Sequence, residues 1–170
     1  MSFLMTATPI NMHVIENYSL NKTGIVIQLH IVSMFLPSLI TGNLLRKFGH
    51  SKIIYAGVSF FILTILLSFL EPSFFNYLFS LAFLGIGWNF LYLSGTGLLV
   101  ISYREEEKFK AQGFNDILVF STQALASLSA GYMLSITSWK TMNLIAIPFL
   151  ILIILLSIRA DLSKNSQLIN

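Results

Sequence analysis

The side chains able to do chemistry in this chain are few, and they lie in unusual surroundings. His13, Gln28, His30, Asn89, Asn115, Asp116, Gln123 and Asn143 fall inside or at the edge of long uncharged stretches, with Trp88 and Tyr92 as amphipathic neighbours. Polar groups in such places must pair, hydrogen-bond or line a wet cavity. Asp116, Gln123 and Ser127 are spaced by seven and four residues, which puts them on one face of a helix. Either that face lines a cavity, or the Asp116 carboxylate caps the start of its helix. His30 shares a face with Met34 and Pro37 and is either a ligand or proton carrier, or a donor to a neighbouring backbone carbonyl. Trp88, Tyr92 and Thr96 recur at spacings of four, an aromatic and polar stripe along one helix. Trp88 and Asn89 follow Gly85 and Gly87 and face either a solute or a packed helix.

Catalytic constellations are missing. Ser94-Gly95-Thr96-Gly97 has the wrong order for a nucleophile elbow and no strand before it. Three scattered histidines without paired spacing do not make a zinc site. The glycines of 85–97 lack the strand and helix context of a dinucleotide fingerprint. With no cysteine, disulfides, thiolate metal sites and thiol nucleophiles are excluded. The reading is therefore not an enzyme, with no cofactor and no nucleic-acid partner.

The elements that must hold these side chains follow from hydropathy. The 170 residues are 55% hydrophobic and only 10% charged, too few charges to cover a water-soluble surface. A bilayer core of about 30 Å needs roughly 20 apolar helical residues. Five stretches, 24–45, 53–70, 73–103, 117–139 and 141–158, contain no Asp, Glu, Lys or Arg. A sixth, 1–15, is apolar but short, and reads as a cut helix rather than a signal peptide because no basic segment precedes it. The expected fold class is all-α, a polytopic membrane bundle of five full transmembrane helices plus one truncated helix. Its helices are placed at about 1–15, 24–45, 53–70, 73–103, 114–137 and 141–158, within a bundle over 1–160, followed by a short cytoplasmic tail at 161–170.

Charge asymmetry orients the bundle. If the 46–52 loop is cytoplasmic, so are Arg46, Lys47, Lys52, Arg104, Lys108, Lys110, Arg159 and Lys164, eight in all, against Lys22 and Lys140 on the other side. These are all ten Lys and Arg, so the C-terminus is expected in the cytoplasm. The run Glu105-Glu106-Glu107 with Lys108 and Lys110 predicts a helix extended into water. The 73–103 stretch predicts one long tilted or bent helix, and Pro9, Pro37 and Pro148 mark breaks or bends in three others. Ala126 with Ala130 and Ser127 with Gly131 predict close helix packing, while the aliphatic 147–156 run suits lipid.

The bridge Gly42-Asn43-Leu44-Leu45-Arg46-Lys47-Phe48-Gly49-His50-Ser51-Lys52 resembles the loop signature of the major facilitator superfamily, G-x-L-x-D-R-x-G-R-[RK]. Gly42, Leu44 and Gly49 match, while Arg46 stands at the family's Asp and Lys47 at its Arg. The runs Gly85-Ile86-Gly87-Trp88-Asn89-Phe90 and Gln112-Gly113-Phe114-Asn115-Asp116 also look like segments of bacterial members. The weakened signature fits the family's second copy, between helices eight and nine, so the six segments resemble helices seven to twelve.

That resemblance implies a C-terminal half of a secondary transporter, working by alternating access around a midplane site. It implies a small-molecule substrate, a missing N-terminal six-helix half as partner, and a lipid bilayer, the bacterial inner membrane, as surroundings. The cavity-bordering helices would then carry His13, His30, Trp88, Asn89, Tyr92 and Gln123 as substrate-binding residues, with His30 and Asp116 as ion or proton couplers. Alone, such a fragment is expected to be inactive. The alternative is a self-contained small membrane protein, a homo-oligomeric carrier or assembly subunit.

Overall fold

The computed structural model describes the backbone of residues 1–167 and side chains through Arg159. The expected tail at 161–170 thus lies outside the described side chains, and 168–170 outside the described residues altogether. Among the described residues the chain is helical throughout, with no strand. Helix α1 (Ser2–Ile10) runs on past Pro9 into a π-helical turn, Asn11–Ile15. Helices α2 (Leu20–Phe35) and α3 (Ser38–Phe48) form one span bent by 41° at Pro37. Then come α4 (His50–Ser68), α5 (Phe74–Val100), a short 3₁₀ turn at Glu105–Glu107, α6 (Lys108–Ile136), α7 (Trp139–Leu144) and α8 (Ile147–Gln167).

Four helical stretches are long and apolar enough to cross a membrane, and the bent α2–α3 pair makes a fifth. The five spans and one short apolar helix expected from hydropathy are therefore present. The 73–103 stretch holds one unbroken helix, α5, ending at Val100. Helix ends reach beyond the uncharged runs, since α3, α4 and α6 include Arg46, Lys47, Lys52, Lys108 and Lys110. The reason is that a helix ends where its backbone is capped, not where hydropathy falls. Ser19, Ser73 and Ser138 cap α2, α5 and α7, each accepting from the amide three residues on.

Packing centres on α5, which α2 and α4 flank. At Gly85 an added Cβ would lie 2.7 Å from the His30 carbonyl oxygen, and at Gly57 3.0 Å from that of Gly87. The missing side chains let the three backbones approach, and close approach gives van der Waals contact where lipid offers no hydrophobic drive. Thr64 and Ser80 exchange hydroxyl-to-carbonyl bonds across α4 and α5, at 3.0 and 3.3 Å. Helix α6 packs chiefly on α1, with Ala130 fully buried and room at Gly131 for a Cβ that would lie 3.6 Å from Ile10.

The bonded pairs also fix directions. His30 meets Leu81 while Thr41 meets Asn89, so the second and fourth spans run parallel. His50 meets Ser94 while Thr64 meets Ser80, so the third and fourth run antiparallel. The basic 46–52 and 104–110 bridges consequently lie at one end of the bundle.

Candidate functional site

Three of the predicted residues, Trp88, Tyr92 and Gln123, come together where α1, α5 and α6 meet. The Trp88 ring stacks on that of Tyr92, centroids 4.8 Å apart and planes 9° from parallel, because residues four apart on α5 lie one above the other. Trp88 lines a cavity of about 370 Å³ together with Ser2, Leu118, Thr122 and Gln123. The Gln123 side chain accepts from Ser2 Oγ at 3.3 Å, and one turn on Thr6 donates to Ser127 Oγ at 3.2 Å. The first and fifth spans thus run parallel, tied by a two-rung polar ladder. The face shared by Gln123 and Ser127 turns toward α1, with Gln123 left at the cavity edge.

Asp116 does not join that face at the site. It is exposed, touched by the Asn115 amide at 3.4 Å, and does not line the cavity. Nor does it cap a helix. Helix α6 begins eight residues earlier, at Lys108, because the charged 105–110 segment is itself helical. The capping alternative is therefore corrected by the structure.

His30 is fully buried on α2, and its Nδ1–H donates to the Leu81 carbonyl of α5 at 2.8 Å. Its Nε2 is buried without a partner among the described residues. Asn89, 2% exposed, sits at the bend of the neighbouring span. Its Nδ2 donates to Met34 O at 2.8 Å and to Ser38 Oγ at 2.7 Å, and its Oδ1 accepts from Thr41 at 2.8 Å. The Asn89 carboxamide is wholly engaged by α2 and α3. His13 is exposed within the π turn, and its Nδ1–H donates to the Tyr18 carbonyl at 2.8 Å, which closes the following loop.

In the basic bridge, Gly49 alone joins α3 to α4, with φ 81° and ψ 164°. Only glycine adopts that region readily. Gly42, Arg46 and Lys47 are exposed and Leu44 is half-buried, while Arg46 bonds the Asn43 side chain one turn back. The tight turn delivers His50 to α5, where its Nδ1–H donates to Ser94 O at 3.2 Å against Gly97.

A conserved-domain model described as the Major Facilitator Superfamily matches residues 1–168. The chain belongs to the Major Facilitator Superfamily. It is 36% identical over 154 residues to the riboflavin transporter RfnT of Brucella anthropi, covering 91% of this chain and 38% of that protein. It is 33% identical over 147 residues to the uncharacterized MFS-type transporter YddS of Bacillus subtilis, covering 85% of this chain and 33% of that protein. The chain therefore spans about a third to two fifths of the length of the curated relatives it matches. No solved structure gives a significant match. As a superfamily member with apolar spans, it is a multi-pass membrane protein of a transport family.

Sequence reasoning overlooked Ser2, Thr6, Ser38 and Thr41 as partners of the polar residues it singled out. A signal existed for two of them: Ser38 and Thr41 follow Pro37 within one turn, where a proline bend leaves carbonyls in need of donors. It also passed over Asn11 and Tyr77, whose side chains bond at 2.5 Å in the interior. Nothing in their separation of 66 residues announces that pair.

Proposed function

We propose that this chain is the C-terminal six-helix half of a secondary transporter, moving a small amphipathic solute by alternating access together with an N-terminal half. The observation that carries the reading is the Trp88–Gln123 cavity, which brings the Trp88 indole, backed by the stacked Tyr92 ring, together with an amide and hydroxyls from three helices. An aromatic wall holds a planar apolar body by stacking, and the amide orients its polar edge. A relative named as a riboflavin transporter supports a planar heterocycle of flavin size.

The spans lie in the bacterial cell membrane with the C-terminus in the cytoplasm, a reading supported by the eight-to-two division of Lys and Arg. The function is transport rather than catalysis. His30, with its buried free Nε2 one helix away from the cavity, is the proposed proton-coupling group. Asp116, exposed at the basic end, has less support in that role.

The test is uptake of labelled riboflavin into proteoliposomes holding this chain and its N-terminal half. Removing a stacking ring of this kind costs about 1–3 kcal/mol, so Trp88→Ala should weaken apparent affinity roughly tenfold, and Gln123→Ala should do so to a smaller extent. Unaltered uptake in both variants, with both chains assembled, would overturn the assignment of the cavity.

A further inference from the structure

A second cavity, of about 310 Å³, opens at the end of the bundle opposite the basic bridges. It shares no lining residue with the Trp88–Gln123 cavity. Tyr77, on its wall, precedes Trp88 by eleven residues of α5, about 16 Å along the helix axis. Three connections meet there: the turn after the π-helical segment, the α4–α5 link and the α6–α7 link.

The interior of this cavity has uncommitted hydrogen-bonding capacity. Asn11 is 3% exposed, and its Nδ2 donates to the Tyr77 hydroxyl. Its Oδ1 accepts no bond from any described residue, and the Tyr77 hydroxyl, having accepted, still has a proton to give. Asn11 opens the π-helical turn, a rare conformation that recurs at functional sites. The indole of Trp139 stands against Tyr77 with centroids 5.7 Å apart, so the wall is aromatic. Glu16, Glu71 and Lys140, all exposed, are the charged members of the lining, and among the described residues no ion pair holds any of them. Both signs of charge, left unpaired around an aromatic and mostly aliphatic wall, are the complement of a ligand that carries both signs on an apolar body.

We propose that this cavity is a separate binding site for a zwitterionic amphiphile. The ligand's ammonium is received by Glu16, Glu71 and Asn11 Oδ1, its anionic group by Lys140, and its apolar body by Trp139. A free aromatic amino acid and the headgroup of an aminophospholipid share this chemistry.

The chain has two tryptophans, so Trp88→Phe leaves Trp139 as a single fluorescent reporter. That variant also lacks the stacking indole of the proposed solute site, which makes the result independent of riboflavin uptake. The full chain in dodecyl maltoside would be titrated with L-phenylalanine and with dihexanoyl phosphatidylethanolamine. Phenethylamine, phenylacetate and dihexanoyl phosphatidylglycerol serve as single-charge counterparts.

The expected result is a saturable change in Trp139 emission with at least one zwitterion, with binding about tenfold weaker for its single-charge counterparts. Saturation by the amino acid assigns a free solute, and saturation by the lipid assigns a headgroup. Glu16→Gln with Glu71→Gln, both exposed and therefore harmless to folding by helical circular dichroism, should weaken the same binding about tenfold. The proposal is overturned if neither zwitterion saturates, if single-charge analogues bind equally well, or if the double glutamine variant binds as tightly as the parent.

Discussion

The side-chain amide of Asn89 donates to the main-chain carbonyl of Met34 at 2.8 Å, in place of the Ser38 amide that an unbent helix would supply. Pro37 bends the span by 41° and carries no amide hydrogen of its own, so carbonyls on the turn before it lose their partners. Asn89 supplies the donor from α5, and Ser38 and Thr41 bind the rest of its carboxamide from the far side of the bend. A buried polar side chain that a hydropathy profile marks as a solute ligand is thereby committed to holding a bent span in shape.

Asn89→Ala should therefore act first on stability. One interhelical hydrogen bond in a membrane contributes about 0.6 kcal/mol, so losing three at one side chain costs about 2 kcal/mol. Ser38→Ala removes one of them and should cost a fraction of that. Thermal unfolding in detergent, followed by loss of the monodisperse peak, would rank the two, and an Asn89→Ala variant as stable as the parent would contradict the role.

The two glycines of the basic bridge should respond in opposite ways. Gly49→Ala forces a side chain into a region that costs about 1–3 kcal/mol and should lower the unfolding temperature. Gly42 lies inside α3 with nothing within 4 Å of an added Cβ, so alanine there should stabilise by about 0.5–1 kcal/mol. Equal shifts in the two melting curves would argue against the one-residue turn.

Along α5, Gly85 and Gly95 form a similar contrast. An added Cβ at Gly85 meets backbone atoms of α2, His30 O at 2.7 Å and Met34 N at 3.1 Å, which cannot rotate away. Gly85→Ala should cost about 1–3 kcal/mol by driving α2 off α5, whereas Gly95→Ala meets nothing within 4 Å. Cysteine pairs placed across α2 and α5 should crosslink less efficiently in the first variant and normally in the second.

In the transporter proposed above, assembled with an N-terminal half, uptake should fall more in His30→Ala and Asn89→Ala than in Asn143→Ala. The first two link α2 and α3 to α5, while the Asn143 amide donates only to Trp139 O of its own helix, at 2.9 Å. Initial rates under matched protein levels would decide, and three equal rates would remove any special role for the α2–α5 seam.

Much of the architecture was legible because hydropathy and charge act residue by residue. The spans at 53–70 and 73–103 stand out as runs without charge, and the Trp88–Tyr92 stack follows from a spacing of four on any helix. The bend at Pro37 was legible for the same reason, since a missing amide is a property of one residue. Asp116 was misjudged as a possible cap because the charged 105–110 run concealed that α6 had already begun.

By itself, then, the sequence determined that the chain belongs in a bilayer, how many times it can cross, and which of its ends collects the basic residues. Those properties are sums over neighbours in the chain, so they survive without knowledge of the fold. Only the tertiary structure decided which polar groups are already satisfied and which stay free. Asn89 and Gln123 look alike in sequence, yet one is wholly engaged at a bend while the other reaches a cavity. Likewise Asn11 keeps an acceptor free in a cavity at the opposite end. That choice depends on how helices cross, and the crossings are set by close approach at Gly57, Gly85 and Gly87, where partners lie far apart along the chain.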